Sequence, residues 1–238
     1  MTNQKTLKHK VSYAIDKAVI TFKPANVNSG IIFYNSNIGE YIKIDYAKLT
    51  KTNNEIFFNH EILLANYNMI IAALYICGIN NILIQIENSS GAQIALQKLI
   101  FILSAAGQTT QSPPLKKISI TKAESIQSGK TSVKIRPYKG RKVTIISNNT
   151  EQEILYEFDS NVHVLQKDFS HINHYSNFSR KDEQMQFKAL NMLGDLYASG
   201  ITNAHLQATK DDTNNYFQLI KSIVSKQTVQ KDLLTHVI

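Results

Sequence analysis

The first part of the chain alternates between apolar and polar residues over short stretches, which is the pattern of half-buried β-strands. It predicts strands at Val19–Phe22, Gly30–Tyr34 and Tyr41–Tyr46. Asn-rich and Gly-containing clusters between these stretches are typical of turns. The beginning of the chain is therefore predicted to form a sheet of short strands.

The pattern then changes to continuous apolar runs. Residues Glu61–Cys77 are apolar on all sides, and Gly78 follows, so we predict a buried helix that ends at a left-handed glycine. A strand is predicted at Ile82–Ile86, and a second apolar helix at Ala92–Ala106. Several strands followed by a helix, a further strand and a second helix indicate an α+β unit with a mainly antiparallel sheet.

The second half repeats this order after a polar segment at 108–114, which contains two of the four prolines and is predicted to be a linker. The predicted elements are strands at Lys117–Thr121, Thr131–Tyr138, Lys142–Ser147 and Glu153–Phe158, a helix at Glu183–Ser199, a strand at Ala204–Ala208 and a helix at Thr213–Lys226. At a constant offset of 122, six of the twelve positions from Leu74 onward are identical. We predict two similar tandem domains, 1–109 and 115–238.

Composition narrows the class of protein. The chain of 238 residues has a net charge of +8 and one cysteine, Cys77, so an intrachain disulfide and a Cys-based zinc site are both excluded. The longest apolar run, Met69–Ile79, is about half of the ~20 residues that a membrane helix needs. The N-terminus lacks the pattern of a cleaved signal peptide. These features predict a cytoplasmic protein without a transmembrane segment.

The charge is concentrated in one segment. Residues 116–142 hold nine of the 26 Lys and Arg residues and one of the 18 acids, which accounts for the whole excess. Alternation within Thr131–Tyr138 places the cations on one face of a strand. Candidate anion-binding residues are Lys134, Arg136, Lys139, Arg141 and Lys142. Tyr138 alone offers base stacking there, which argues against nucleic acid as the partner.

Several segments together resemble the UDP-3-O-acyl-N-acetylglucosamine deacetylase family, the zinc enzyme of lipid A synthesis. In the first half these are Val19–Ala25, Ser29–Tyr34 and Gly78–Ile84, the last similar to the family's "GIDNIVI". In the second half, Lys188–Leu196 resembles "HKxLDxIGDL", and Asn214–Asn215 with the following residues resembles "LNxxL". The resemblance implies a two-domain α+β fold of this family.

The resemblance also locates the family's active-site positions, and here the sequence departs from it. The general-base glutamate falls on Asn68, and the three zinc ligands fall on Met69, Phe187 and Asn191. Catalytic zinc needs about three imidazole, thiolate or carboxylate ligands, and an amide cannot act as the base. Zinc, expected for the family, is therefore predicted to be absent.

Other family positions are altered as well. The threonine of the family's "SRARTF" segment falls on His174, and the histidine of its "SGH" segment is replaced within Lys210–Thr213. Asp195 is the remaining acid of the polar site helix. We considered His171 and His174, spaced by three residues, as metal ligands, but a third ligand does not lie nearby in the sequence.

Three functions follow from these observations. The first is a non-catalytic relative of the deacetylase that binds a lipid A precursor, a nucleotide sugar or a protein of that pathway. The second is an active amino-sugar deacetylase with a relocated site at His171, His174 and Asp211 or Asp212. The third is a basic module that binds anionic lipid or nucleic acid through the face of Lys134 and Arg136.

Overall fold

The computed structural model describes residues 3–15, 18–35, 39–46, 48–52, 55–58, 61–64, 67–87, 95–114, 117–129, 131–149, 152–159, 181–209 and 215–235. Two β-sheets and the helices between them form an α+β fold, as predicted. Buried apolar residues of both halves belong to one hydrophobic cluster.

The first half contributes a five-stranded sheet. Its strands, with those of two smaller sheets, are β1 (Asn3–Leu7), β2 (Val11–Ile15), β3 (Ala18–Pro24), β4 (Ile31–Asn35), β5 (Glu40–Lys43), β6 (Thr50–Thr52), β7 (Glu55–Phe58), β8 (Glu61–Leu64) and β9 (Ile82–Glu87). The order in the large sheet is β2-β3-β9-β4-β5, with β4 and β9 parallel and the other pairs antiparallel. The buried face carries Phe22, Ile84, Phe33 and Ile42 in one row across the strands.

The second half contributes a sheet of the same design. Its strands, together with β10, are β10 (Gln108–Pro114), β11 (Ile118–Ser119), β12 (Glu124–Ser128), β13 (Thr131–Pro137), β14 (Arg141–Asn149), β15 (Gln152–Asp159) and β16 (Ile201–Thr209). The order is β12-β13-β16-β14-β15, with β11 paired to β16 as an addition. Strand order and pairing sense thus correspond one to one with those of the first sheet.

Among the described residues four helices lie between the two sheets. They are α1 (Tyr67–Cys77), α2 (Leu96–Ala105), α3 (Lys181–Ala198) and α4 (Asn215–Thr235). Helix α1 packs on α2 and on α3, while α3 covers β14 and β16, and α4 covers β12 and β13. All eleven residues of α1 are buried, because helices of both halves pack against it. The helices that the structure describes include none long and apolar enough to span a membrane.

One predicted element differs from the structure. The helix predicted at Glu61–Cys77 begins only at Tyr67, and Glu61–Leu64 is strand β8 of a small antiparallel sheet with β6 and β7. A continuous apolar run is compatible with either a helix or a buried strand, and here it contains one of each. The segment predicted as a linker, 108–114, connects the two halves as strand β10, which pairs with β1.

The predicted helix ends are confirmed. Gly78 and Gly200 follow α1 and α3 with φ of 71° and 82°, in the left-handed region that only glycine adopts without strain. Ile79 N–H then bonds to the Leu74 carbonyl, which closes the end of α1. The chain is thereby turned from each central helix into the central strand of the adjacent sheet.

Candidate functional site

The two halves meet along helices α1 and α3. A Cβ atom added to Gly194 would lie 3.1 Å from Ile71 Cγ2, so the absence of a side chain allows the helices to approach closely. Further along, the rings of Tyr75 and Tyr197 lie 5.3 Å apart. Because both contacts advance in the same direction along the chain, α1 and α3 run parallel to each other.

The four positions that the resemblance assigns to base and zinc ligands lie on these helices and are buried. Asn68 and Met69 belong to the first turn of α1 and are 5% and 2% exposed. Phe187 and Asn191 lie on α3 and are 2% and 8% exposed. Asn68 and Asn191 each precede the Ile71–Gly194 contact by three residues, which is about one helical turn. The Asn191 Oδ1 atom has no hydrogen-bond partner among the described residues.

These side chains do not fit a catalytic zinc ion. Zinc in proteins is held by thiolate, imidazole or carboxylate groups. The positions instead offer two neutral amides, a thioether and a phenyl ring, which supply neither the charge nor the donor atoms. Within the described residues, His, Cys, Asp and Glu do not form a group of three or more that could hold a metal ion.

The acid of the same helix, Asp195, is engaged by tyrosines. Its carboxylate accepts hydrogen bonds from the Tyr46 hydroxyl at 2.8 Å and from the Tyr216 hydroxyl at 3.0 Å. The Tyr67 hydroxyl lies 2.7 Å from that of Tyr46. All four side chains are at most 3% exposed. We call these residues the tyrosine–aspartate cluster; it joins α1 and the segment after β5 to α3 and α4.

The cluster strongly favours protonated tyrosines. Burial raises the pKa of Tyr46 well above its ordinary value, and the negative charge of Asp195 raises it further. The pKa of Tyr67 is raised well above its ordinary value for the same two reasons. Both hydroxyls therefore remain hydrogen-bond donors at neutral pH, and the cluster acts as a buried polar connection between the two halves.

The basic face of the second sheet has the predicted alternation. Val133 and Ile135 are fully buried, whereas Lys134 and Arg136 are exposed on the opposite face. Lys139 is exposed in the turn before β14. Lys142 lies 5.9 Å from the centre of the Tyr138 ring. The register places Arg136, His205 and Lys142 in one row across three strands.

His205 holds part of this face in place. Arg136 Nε donates to His205 Nδ1 at 3.0 Å, and His205 Nε2 lies 2.8 Å from Thr144 Oγ1. Since Nδ1 accepts, the ring is neutral and its Nε2–H donates to Thr144. This buried histidine, 3% exposed, thus has a hydrogen-bond partner at each ring nitrogen.

Arg141 is less exposed than Lys134, Arg136 and Lys139. Its guanidinium lies 5.3 Å and 6.0 Å from the ring centres of Tyr197 and Tyr75 and donates from Nε to the Ile201 carbonyl at 2.6 Å. Burial lowers its pKa from the ordinary value, and the two tyrosines partly oppose that effect. Arg141 therefore belongs to the contact between the two halves, where its cation is stacked on aromatic faces.

Sequence reasoning identified Asp195 but missed its partners. Tyr46, Tyr67 and Tyr216 are spread over 171 positions and form no local motif. His171, His174, Asp211 and Asp212 lie outside the described residues.

The fold defines a class of α+β protein. Two sheets with the same strand order enclose the helices, and the parallel pair α1 and α3 carries Asn68, Met69, Phe187 and Asn191. The sequence profile of the UDP-3-O-acyl N-acetylglycosamine deacetylase (LpxC) family matches residues 4–172. This match covers well over half of the chain, and the protein belongs to that family.

Curated relatives agree with this assignment. The chain is 27% identical to the UDP-3-O-acyl-N-acetylglucosamine deacetylase of Acidithiobacillus ferrooxidans over an alignment of 180 residues, which covers 66% of this chain and 58% of that protein. The enzyme of the same name from Shewanella violacea is 24% identical over 183 residues, covering 69% and 60%. That of Xanthomonas axonopodis pv. citri is 24% identical over 220 residues, covering 82% and 70%. The chain thus spans about three fifths of the length of the first two relatives.

Proposed function

We propose that this chain is a non-catalytic member of the deacetylase family that acts by binding. The observation that carries the proposal is the chemistry of the α1–α3 contact. The resemblance assigns the family's base and ligand positions to Asn68, Met69, Phe187 and Asn191, and all four side chains are uncharged and buried. Water activation at zinc requires both a bound ion and a proton acceptor, and these side chains supply neither.

The engagement of Asp195 supports the same proposal. Its two oxygens accept hydrogen bonds from Tyr46 and Tyr216, so the remaining acid of the helix is used to join the two halves. A protein that keeps the family's fold and the contact between its two halves, but lacks the reacting groups, is suited to binding. The ligands that we propose are a lipid A precursor, a nucleotide sugar, or a protein of that pathway.

Metal content and turnover of the purified protein test this proposal together. We expect sub-stoichiometric zinc by elemental analysis, also after incubation with zinc and removal of excess metal. Deacetylation of UDP-3-O-acyl-N-acetylglucosamine should stay at background, with the Acidithiobacillus ferrooxidans enzyme assayed in parallel as the positive control. One zinc per chain accompanied by turnover would overturn the proposal.

A relocated active site is the alternative for an amino-sugar deacetylase. It would use His171 and His174 with Asp211 or Asp212. In that case the wild-type protein has activity on an amino-sugar substrate and His174→Ala abolishes it, whereas Asn68→Ala leaves it intact. Our proposal expects no activity in any of the three proteins.

The basic face offers a second candidate function, binding of anionic lipid. Lys134 and Lys139 are exposed, and their side chains make no hydrogen bond or ion pair with any residue that the structure describes. Replacing Lys134 and Arg136 by glutamate should abolish salt-sensitive sedimentation with phosphatidylglycerol vesicles. The control is Lys98→Glu, on α2. Unchanged sedimentation of the double variant would rule this function out.

A further inference from the structure

A cavity of about 220 Å³ opens between the two halves at the end of α1 that is remote from Asn68. Helix α1 has eleven residues, so the two ends are about 16 Å apart. Both halves contribute to the wall. The lining residues that matter for its chemistry are Gln4, Asn28, Lys43, Asn80, Tyr197 and Ser199. None of the described residues that line this cavity is an aspartate or a glutamate.

Lys43 is held at the cavity by the backbone beneath it. Its Nζ donates to the Asn28 carbonyl at 3.0 Å. A Cβ on Gly30 would lie 3.1 Å from Lys43 Cε, so the lysine stem crosses directly over this glycine. The ammonium has three hydrogens, of which this bond uses one. Among the described residues it makes no ion pair, so its charge is not compensated by a carboxylate there.

Tyr197, which the second half contributes to the lining, provides a second donor. Its hydroxyl oxygen accepts a hydrogen bond from Asn80 Nδ2. The hydroxyl hydrogen has no acceptor among the residues that the structure describes. Burial raises the pKa of Tyr197 above its ordinary value, so the hydroxyl stays protonated. Behind the ring lies the guanidinium of Arg141, 5.3 Å from its centre, which adds positive charge to this wall.

Four backbone carbonyls at the end of α3 and just after it already accept hydrogen bonds. The Leu196 carbonyl accepts from Ser199 Oγ, and the Tyr197 carbonyl accepts from Gly200 N–H. The carbonyls of Gly200 and Ile201 accept from Ile118 N–H and Arg141 Nε. The cavity therefore presents hydrogen-bond donors and positive charge, while these carbonyls are occupied.

The backbone at the rim is strained. Asn28 has φ of 63°, a left-handed conformation that costs energy in a residue with a side chain. Gln4 holds it there with two hydrogen bonds, donating to Asn28 Oδ1 at 2.8 Å and accepting from Asn28 N–H at 2.9 Å. The strained geometry aims the Asn28 carbonyl at Lys43 Nζ and so fixes the ammonium. Strain of this kind concentrates at binding sites.

We propose that this cavity binds the oxyanion of a small molecule, a phosphate or a carboxylate group, between Lys43 and Tyr197. The ammonium supplies the charge and two free hydrogens, and the tyrosine hydroxyl donates a further hydrogen bond. The site is separate from the helix positions of Asn68 and Asn191. The proposal consequently does not depend on whether the family's reaction is retained.

Amide NMR of the ¹⁵N-labelled full chain tests the proposal with inorganic phosphate and, separately, acetate, at constant ionic strength set with sodium chloride. We expect saturable shifts at residues 28–31, 43 and 197–200 with at least one of the two anions. Comparing the anions tells whether phosphate or carboxylate is the preferred group. Lys43→Met and Tyr197→Phe should each weaken binding about tenfold.

Lys98→Met is the matched control, because it removes the same charge from α2 outside the cavity. Its affinity should equal that of the wild type. Thermal unfolding of each variant checks that the fold is kept; Lys43 is exposed, so Lys43→Met should unfold near the wild-type temperature. The proposal is overturned if neither anion shifts these residues, or if Lys43→Met and Lys98→Met bind equally.

Discussion

The hydroxyl of Tyr46 donates a hydrogen bond of 2.8 Å to the carboxylate of Asp195, across 149 positions of the chain. Tyr46 follows the first sheet, and Asp195 lies on the central helix of the second half. Next to this bond, Lys221 Nζ donates to the Leu49 carbonyl at 2.8 Å, and the rings of Tyr46 and Phe217 lie 5.3 Å apart. The segment after β5 is thus fixed to α3 by one contact and to α4 by two.

Removing the Tyr46 hydroxyl should destabilise the whole protein. In Tyr46→Phe the Asp195 carboxylate loses one of its buried donors while the ring packing is kept. A hydrogen bond to a charged group contributes about 1.5–3 kcal/mol, and we expect the free energy of unfolding in urea to fall by that amount. Tyr41→Phe, at a 65% exposed position, should change it by less than ~0.5 kcal/mol. Equal stability of the two variants would contradict this role of Asp195.

The cluster also predicts a loss of stability in alkali. Tyr46 and Tyr67 have raised pKa values in the folded protein, whereas an unfolded tyrosine ionises near pH ~10. The stabilisation is fully present below that pH and is lost as the pH rises towards the folded-state values. The loss approaches about 1.4 kcal/mol per pH unit for each tyrosine. Urea unfolding from neutral pH to above pH ~10 should show a shallower decline for Tyr46→Phe than for the wild type.

Gly194 should not accept a larger side chain. In Gly194→Val the added methyl groups meet Ile71 and the backbone of α1, and we expect a loss of about 3 kcal/mol in the free energy of unfolding. Ile71→Ala removes the atom nearest to the new side chain. The double variant should therefore lose less than the sum of the two single variants, and strict additivity would show that the helices do not meet at this point.

Cys77 should react slowly in the folded protein. The side chain is 8% exposed, and burial raises the pKa of its thiol to about 11. The reactive thiolate is then about a hundredfold rarer near neutral pH than for an ordinary cysteine. Alkylation by iodoacetamide should accelerate by at least that factor in guanidinium chloride. A native rate equal to that of the unfolded chain would contradict the burial of Cys77.

Local signals in the sequence predict the central elements well. The apolar residues before Gly78 and Gly200 and the strands after them are all found, because glycine stops and buried periodicity act over a few residues. Strands β1 and β10 carry mostly polar residues and were missed or taken for a linker. Their pairing joins segments about 100 residues apart, and no local pattern encodes it. The two large sheets have the same strand order, but the internal sequence repeat itself stays a prediction.

The candidate site was predictable only in part. The family resemblance assigned the site positions to Asn68, Met69, Phe187 and Asn191, and in the structure all four are buried residues of α1 and α3. The tyrosines around Asp195 were not predicted, because a tyrosine is as common in a plain apolar core as in a polar cluster. Arg141 was grouped with the exposed cations by proximity in sequence. Its contacts with Tyr75 and Tyr197 depend on the docking of the two halves.

The pairing of β1 with β10 sets an order of events during synthesis. Residues 3–7 are synthesised about 100 residues before β10, which is their ladder partner among the described strands and spans residues 108–114. At about 5–20 residues per second, the first strand waits roughly 5–20 s for that partner. Strand β1 is therefore made before strands β2–β9 but gains its ladder partner only after them. Nascent chains arrested before residue 108 should present it to proteases and chaperones.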